Sequence, residues 1–335
     1  MKIKAETRLT SAELADLWTS YMYDCAMVAV MKHFVQNVED PEIGPLLKYT
    51  LEVSQKHVDK IRKIFQQEEL PVPVAFGEPD VDLKAPRLFS DTFYPYYLEH
   101  LARFGMIAYS LSLPLMARED VRTFTSRGIA TAAEISNRVV EVLLRKGLYV
   151  RPPYITAPKK VDFVNRKGFL GSWFGKQRPL LATEILNVFG NLRLNVVVHT
   201  MCLGLAQVAR LDAVRRHLLR GKELATRHLE TLSEILRHDD LPAPTNWDAG
   251  VTDSLVAPFS EKLMMYHVTQ LTTPAVIASY GASLAVCLRR DLAAAYTKLI
   301  AEALLFAEDG VSLMIENGWL EQPPQNVDHT ALAAK

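Results

Sequence analysis

Apolar residues recur at spacings of three and four along most of the chain, which is the pattern of helices that bury one face. The first predicted helix opens with the capping box Thr10-x-x-Glu13. Its predicted buried stripe consists of Leu14, Trp18, Tyr21, Cys25 and Val28. No alternating strand pattern of any length occurs, so the pattern predicts an all-helical protein.

Local signals place the ends of the next three helices. Asp40 is the expected N-cap of helix two, with Pro41 in its first position. Ser90 is the expected N-cap of helix three, and Pro114 is expected to kink or end that helix. Gly147 closes helix four as a C-terminal cap. The first half therefore predicts four helices.

The same pattern then returns with a shift of 171 residues. Leu70-Pro71-Val72-Pro73 returns as 241–244, His57 as His228, and Gly147 as Gly318. Ser260 and Pro274 belong to the second copy of helix three, where Ser260 is the expected N-cap and Pro274 is expected to kink or end the helix. Agreement over nearly the whole chain predicts a duplicated unit, which is the first feature to look for in a long sequence.

Helices two and three are separated in both copies by about twenty proline-rich residues, 70–88 and 241–258. This length exceeds that of a tight turn and is typical of a four-helix bundle with one long crossover. The predicted fold is all-α, with a first four-helix bundle at 9–148, a linker at 149–179 and a second bundle at 180–322.

The linker at 149–179 mixes basic residues with the aromatic residues Phe163, Phe169, Trp173 and Phe174. Such a mixture is compatible with contact to an anionic membrane surface. The linker has no clean amphipathic period, however, so we favour a second interpretation. In this second interpretation, these aromatic side chains pack between the two bundles and hold them together.

Composition excludes several classes of protein. Lys and Arg together equal Asp and Glu at 38 each, so the electrostatic pattern of a nucleic-acid binder is absent. Cys25, Cys202 and Cys287 lie in apolar runs and do not match one another in the repeat, which favours buried thiols in a reducing compartment. We find no secretion signal and no apolar run of bilayer length, so we expect a cytoplasmic protein without a transmembrane segment.

A bundle with a long crossover raises the hypothesis of a di-metal centre, which needs a Glu-x-x-His pair on two of its helices. Neither Glu-x-x-His nor His-x-x-Glu occurs in the chain. The predicted inward stripes of helices one and four carry no carboxylate, and Glu134 and Glu302 lie off those stripes. We therefore expect no metal and no cofactor.

His57 and His228 form the one histidine pair that both copies retain. Each follows two small residues on the same helix face, and these candidate pocket residues are Thr50 and Ser54 in the first copy and Gly221 and Ala225 in the second. Small neighbours leave room for a histidine-lined pocket in the bundle interior. The alternative is a core histidine that is hydrogen-bonded to a helix backbone or a buried tyrosine.

Several longer segments resemble an uncharacterised family of spore-forming bacteria, a tandem domain of unknown function grouped with ferritin-like and spore coat protein F-like bundles. These segments include SQKHVDKI, KGLYVRPPYI, FLGSWFGKQRPL, LPAPTNWDAGVTDS and ENGWLEQPPQ. The resemblance implies two ferritin-like bundles and an association with spore formers. It implies no activity, cofactor or catalytic residue.

Together these observations predict a non-enzymatic structural or interaction protein, which would contact a protein partner or a second copy of itself. We expect it to be located in the cytoplasm, or in the spore and its coat. The alternative is a binding or redox module whose internal sites, lined by His57 and His228, hold a metal or a small ligand.

Overall fold

The computed structural model describes residues 7–171, 177–243 and 250–329. The helices of the first half are α1 (Ser11–Asn37), α2 (Ile43–Gln67), α3 (Phe93–Ser112) and α4 (Glu119–Arg145). The second half repeats them as α5 (Ala182–Val208), α6 (Asp212–His238), α7 (Glu261–Tyr266), α8 (Thr273–Val286) and α9 (Arg290–Glu316). The predicted all-α tandem architecture is confirmed.

Two of the four predicted N-terminal caps are confirmed. Thr10 and Glu13 form the reciprocal capping box of α1. The Ser260 hydroxyl accepts a backbone N–H from the first turn of α7. The prediction for Ser90 is wrong, because α3 begins only at Phe93 and the Ser90 hydroxyl bonds to a neighbouring side chain instead.

The prediction for Asp40 and Pro41 is wrong as well, because α2 begins only at Ile43 with Glu42 before it. Asp40 Oδ1 nevertheless accepts the backbone N–H groups of Glu42 and Ile43.

Glycine and proline act differently at the helix ends. Gly147 and Gly318 have positive φ angles of 67° and 66°, as expected for C-terminal caps. Pro114 lies in the 3-10 turn that follows α3. At Pro274 the helix continues, because a π-helical turn at His267–Thr272 joins α7 to α8 and widens the helix directly before the proline ring.

The two long crossovers lie against each other. Isolated antiparallel bridges pair Val81 with Phe259 and Phe89 with Val251. Backbone N–H groups beside these bridges donate across the pair at N···O distances of 2.8 to 3.1 Å. The crossovers therefore join the two halves through backbone hydrogen bonds.

A hydrophobic core extends across both halves. The Phe34 ring of α1 lies 4.5 Å from Tyr94 and 6.3 Å from Phe259 of the second half, measured between ring centroids. Gly204 in α5 admits the Phe89 ring, because a Cβ built on this glycine would lie 2.5 Å from Phe89 Cε1. The predicted boundary at 149–179 stays a prediction, but packing couples the two halves closely.

Helix α5 is the central apolar helix of the second half. By length and composition it is the single helix among the described residues that is apolar enough to cross a membrane, and 72% of its apolar window is buried inside the fold. A core helix that is covered on most sides has the same composition.

The described part of the linker contradicts the expectation that its aromatic residues fasten the bundles. Tyr154 and Phe163 are 86% and 84% exposed. Phe169 lies under the Arg178 guanidinium, 4.4 Å from the guanidinium carbon. Trp173 and Phe174 lie outside the described residues. The crossovers supply apolar contacts between the halves, whereas the exposed Tyr154 and Phe163 rings contribute little to them.

Candidate functional site

His57 lies on the inner face of α2 and faces a buried carboxylate of α1. Its Nδ1 is 3.1 Å from Asp24 Oδ2, and the Asp24 side chain is only 3% exposed. The Phe124 and Tyr109 rings meet the imidazole edge to face. Burial lowers the pKa of His57, but the charge and the hydrogen bond of Asp24 raise it by more, so the net shift is upward.

A small cavity of about 50 Å³ lies beside this pair. Thr50 and Ser54, the small residues singled out from the sequence, line it together with His57, and Gly105 of α3 forms part of the opposite wall. A water molecule needs roughly 10–15 Å³ of such volume. The structure therefore brings the three predicted residues of the first half to one interior cavity, large enough for a few waters.

The expectation that helix one carries no inward carboxylate is wrong. Asp24 is buried although it lies outside the predicted stripe, because α1 is covered on most sides and not along one face. Asp16, Ser20 and Asp24 are spaced by four residues and so share one helix face. This polar spacing was the signal in the sequence that could have located the site.

Both ring nitrogens of His228 make hydrogen bonds. Its Nδ1 is 2.9 Å from the Tyr280 hydroxyl and its Nε2 is 3.1 Å from Glu302 Oε2. Asn195 Nδ2 donates to the same Tyr280 oxygen at 2.7 Å. Burial lowers the pKa of His228 despite the nearby Glu302 carboxylate. A neutral imidazole satisfies this chain, with Tyr280 donating to Nδ1 and Nε2–H donating to Glu302.

The second half thus corrects two expectations from the sequence. Glu302 lies off the predicted stripe but reaches His228 from the rim of α9, where its side chain is 30% exposed. Gly221 does not leave an open space, because a Cβ there would lie 2.9 Å from the Phe306 ring. Ala225 is 2% exposed within the packed core. The described geometry places His228 in a hydrogen-bonded network.

The interface between the first and third helices also differs between the halves. In the second half, Asn191 Nδ2 donates to Ser283 Oγ at 2.8 Å and Ser279 Oγ donates to Asn191 Oδ1 at 2.5 Å. These bonds tie α5 directly to α8. In the repeat register, Ser20 of α1 corresponds to Asn191 of α5. The first half therefore lacks the asparagine side chain that makes these bonds in the second half.

In the first half the same interface is open. A groove of about 430 Å³ lies between α1 and α3. Its lining is largely apolar and includes Ala12, Ala15, Phe104, Ala108, Leu111, Leu115 and Met116. Tyr23, Gly105 and Tyr109 line both this groove and the cavity beside His57, so the two spaces share a wall.

Asp16 is the carboxylate of this groove. It accepts a hydrogen bond from Thr125 Oγ1 at 3.0 Å. Burial raises the pKa of Asp16, and hydrogen bonds from Ser112 and Thr125 oppose that rise. No cationic side chain lies within 4.0 Å of Asp16 in the described part of the chain.

Among residues 7–171, 177–243 and 250–329, no group of three or more His, Cys, Asp and Glu side chains is arranged to hold a metal ion. The expectation of a metal-free, cofactor-free protein stays a prediction. In the first bundle, the side chains that line the groove and the adjoining cavity could hold a ligand.

Comparison with known proteins gives a family but no activity. The model of a family described as "Protein of unknown function (DUF3231)" matches residues 1–161 and again 168–332. A solved chain from Bacillus halodurans C-125, provisionally described as a spore coat protein, is similar with 16% sequence identity and a TM-score of 0.41. That similarity covers 45% of this chain and 98% of the other. No curated protein matches.

Proposed function

The chain belongs to the DUF3231 family of unknown function, and from its geometry we propose a non-enzymatic protein whose first bundle binds a small apolar ligand. The observation that carries this proposal is the groove between α1 and α3, whose counterpart between α5 and α8 is bridged by hydrogen bonds. The second bundle then acts as a scaffold that holds the first.

The groove has the size and the lining of a small-molecule site. Its volume of about 430 Å³ falls in the range of roughly 300 to 1,000 Å³ that such sites occupy. Leu111 and Leu115 stand at its rim and are 72% and 65% exposed. An apolar ligand would remove these side chains from water, and this burial favours binding.

The polar groups of the groove indicate which apolar ligand fits. Asp16 offers carboxylate oxygens that Thr125 and Ser112 only partly occupy. A ligand anion would be repelled there, whereas a single N–H or O–H donor would be bound. We therefore propose an apolar molecule with one hydrogen-bond donor as the ligand class.

Gly105 provides the test of this proposal. Its Cβ position lies 3.4 Å from Ala132, which lines the cavity beside His57, and the matching residue of the second half is Val276. Gly105→Val therefore gives the first half the side chain of the closed half. We expect the fluorescent amine N-phenyl-1-naphthylamine to bind the native chain one to one, and Gly105→Val to weaken this binding at least about tenfold.

Ser126→Val, on the exposed face of α4, is the matched control and should leave the affinity unchanged. Far-UV circular dichroism checks that both variants keep their helices. Equal binding of the dye to native and Gly105→Val protein, or no saturable binding to either, would remove the ligand-binding proposal.

The family resemblance adds a cellular setting. We propose that the protein acts in spore-forming cells and accompanies the spore or its coat. Fractionation of sporulating cells that carry a tagged copy tests this setting. Recovery of the tag only from cells that do not sporulate would contradict it.

A further inference from the structure

A second cavity lies where the two halves meet. It has a volume of about 70 Å³ and lies between α3 of the first half and α5 of the second. Its lining consists of Tyr96, Glu99, His100, Arg103, Gly190, Arg193, Leu194 and Val197. None of these residues lines the α1–α3 groove, so this cavity is a separate site.

The charges at this cavity do not balance. Arg193 forms an ion pair with Glu99. Arg103 donates only to neutral oxygens, at 3.3 Å to the Gly190 carbonyl and 3.0 Å to Ser279 Oγ. Within the described residues no carboxylate lies within 4.0 Å of Arg103, and burial lowers the pKa of its guanidinium. Two guanidiniums therefore face one carboxylate.

One further donor supports an anion at this place, whereas His100 contributes no charge to it. The Nε of Arg193 is buried and has no hydrogen-bond partner in the described structure. Burial, and then the positive charges of His267 and Arg103, lowers the pKa of His100 to about 3. His100 is therefore neutral at pH 7 and adds no positive charge of its own. A buried cationic donor without an acceptor is costly, which makes an acceptor oxygen favourable here.

We propose that this cavity binds a small oxyanion such as phosphate between Arg103 and Arg193. A volume of about 70 Å³ holds roughly five waters at 10–15 Å³ each, which is the size of a tetrahedral oxyanion. Guanidinium groups are the side chains best suited to bind such oxygens. Because Arg103 and Arg193 come from different halves, the bound anion bridges the two bundles.

Calorimetric titration of the full chain with inorganic phosphate, at constant ionic strength, tests this proposal. We expect saturable binding to the native protein and at least tenfold weaker binding to Arg103→Gln. Arg127→Gln, on the exposed face of α4, is the matched control and should bind phosphate as the native chain does.

A second variant keeps the test decisive if Arg103→Gln does not fold. Arg193→Lys retains a cation for Glu99 but removes the unpartnered Nε, and we expect it also to weaken phosphate binding at least tenfold. No saturable binding to the native chain, or equal weakening in Arg127→Gln, would overturn the proposal. Native affinity in a folded Arg103→Gln or Arg193→Lys protein would overturn it as well.

Discussion

The two histidines that the duplication retains have opposite environments because their neighbours differ at single positions. Asp24 of α1 faces His57 and holds its pKa above the usual value. The matching residue of α5 is Asn195, which hydrogen-bonds Tyr280, and burial then lowers the pKa of His228. One copy therefore favours the charged imidazole and the other the neutral one.

These opposite shifts predict opposite effects of pH on stability. A raised pKa means that the folded state holds the His57 proton more tightly, so this contribution is full below the ordinary pKa of about 6.5 and is lost as pH rises through the folded value. The lowered pKa of His228 has the opposite effect. Its contribution to stability is full above about 6.5 and is lost as pH falls below that value, because the unfolded state then binds the His228 proton more readily than the folded state does.

Urea unfolding of native, His57→Gln and His228→Gln proteins between pH 5 and 8 measures both effects. The stability difference between native and His57→Gln should shrink as pH rises, and the difference for His228→Gln should shrink as pH falls. The same sign of slope for both differences would show that the two imidazoles do not differ as described.

At this scale the sequence predicted which residues of the first half lie together, but not the carboxylates that they contact. The histidine pair follows from the repeat register, and the small residues Thr50 and Ser54 follow from helical periodicity. Asp24 and Glu302 do not, because one lies on a helix buried on several sides and the other reaches inward from a rim. A stripe of spacing three and four describes only a helix that is buried along one face.

At the scale of elements, a buried glutamate fixes the turn between the third and fourth helix of each bundle. Glu13 Oε1 accepts the backbone N–H groups of Ala117 and Arg118 at 2.9 and 2.7 Å. In the second half, Glu184 Oε1 accepts those of Leu288 and Arg289 at 3.2 and 3.1 Å. The duplication has kept this anchor in both copies.

The anchor gives a stability prediction. Glu13→Gln keeps the size of the side chain but turns charge-assisted hydrogen bonds into neutral ones, so we expect the free energy of unfolding to fall by about 2 kcal/mol. Glu52→Gln, an exposed control on α2, should change it by less than about 0.5 kcal/mol. Urea unfolding at pH 7 checks both values, and equal losses would show that the buried carboxylate does not anchor the turn.

Most helix ends followed from local chemistry, but the irregular elements did not. The capping box and the glycine caps are local signals, and they were predicted correctly. The π-helical turn at His267–Thr272 and the paired crossovers depend on contacts between distant residues. No residue pattern within either crossover predicts that it pairs with the other one, because the bridges consist of isolated residue pairs.

At the scale of the whole molecule, duplication has produced two bundles that share a core, and we propose that only the first of them binds a ligand. The crossovers and α5 bind the halves together, and the exposed linker residues contribute little to that contact. The architecture could be predicted because the repeat is long. The asymmetry could be seen in the sequence only by comparing matching positions, such as Gly105 with Val276 and Ser20 with Asn191.

A crystal structure of the chain with N-phenyl-1-naphthylamine is the most direct test that the first bundle is the binding half. We expect one dye molecule per chain, in the groove between α1 and α3 with its amine near Asp16, and none between α5 and α8. Dye in the second bundle, in both bundles equally, or only on the outer surface would contradict it.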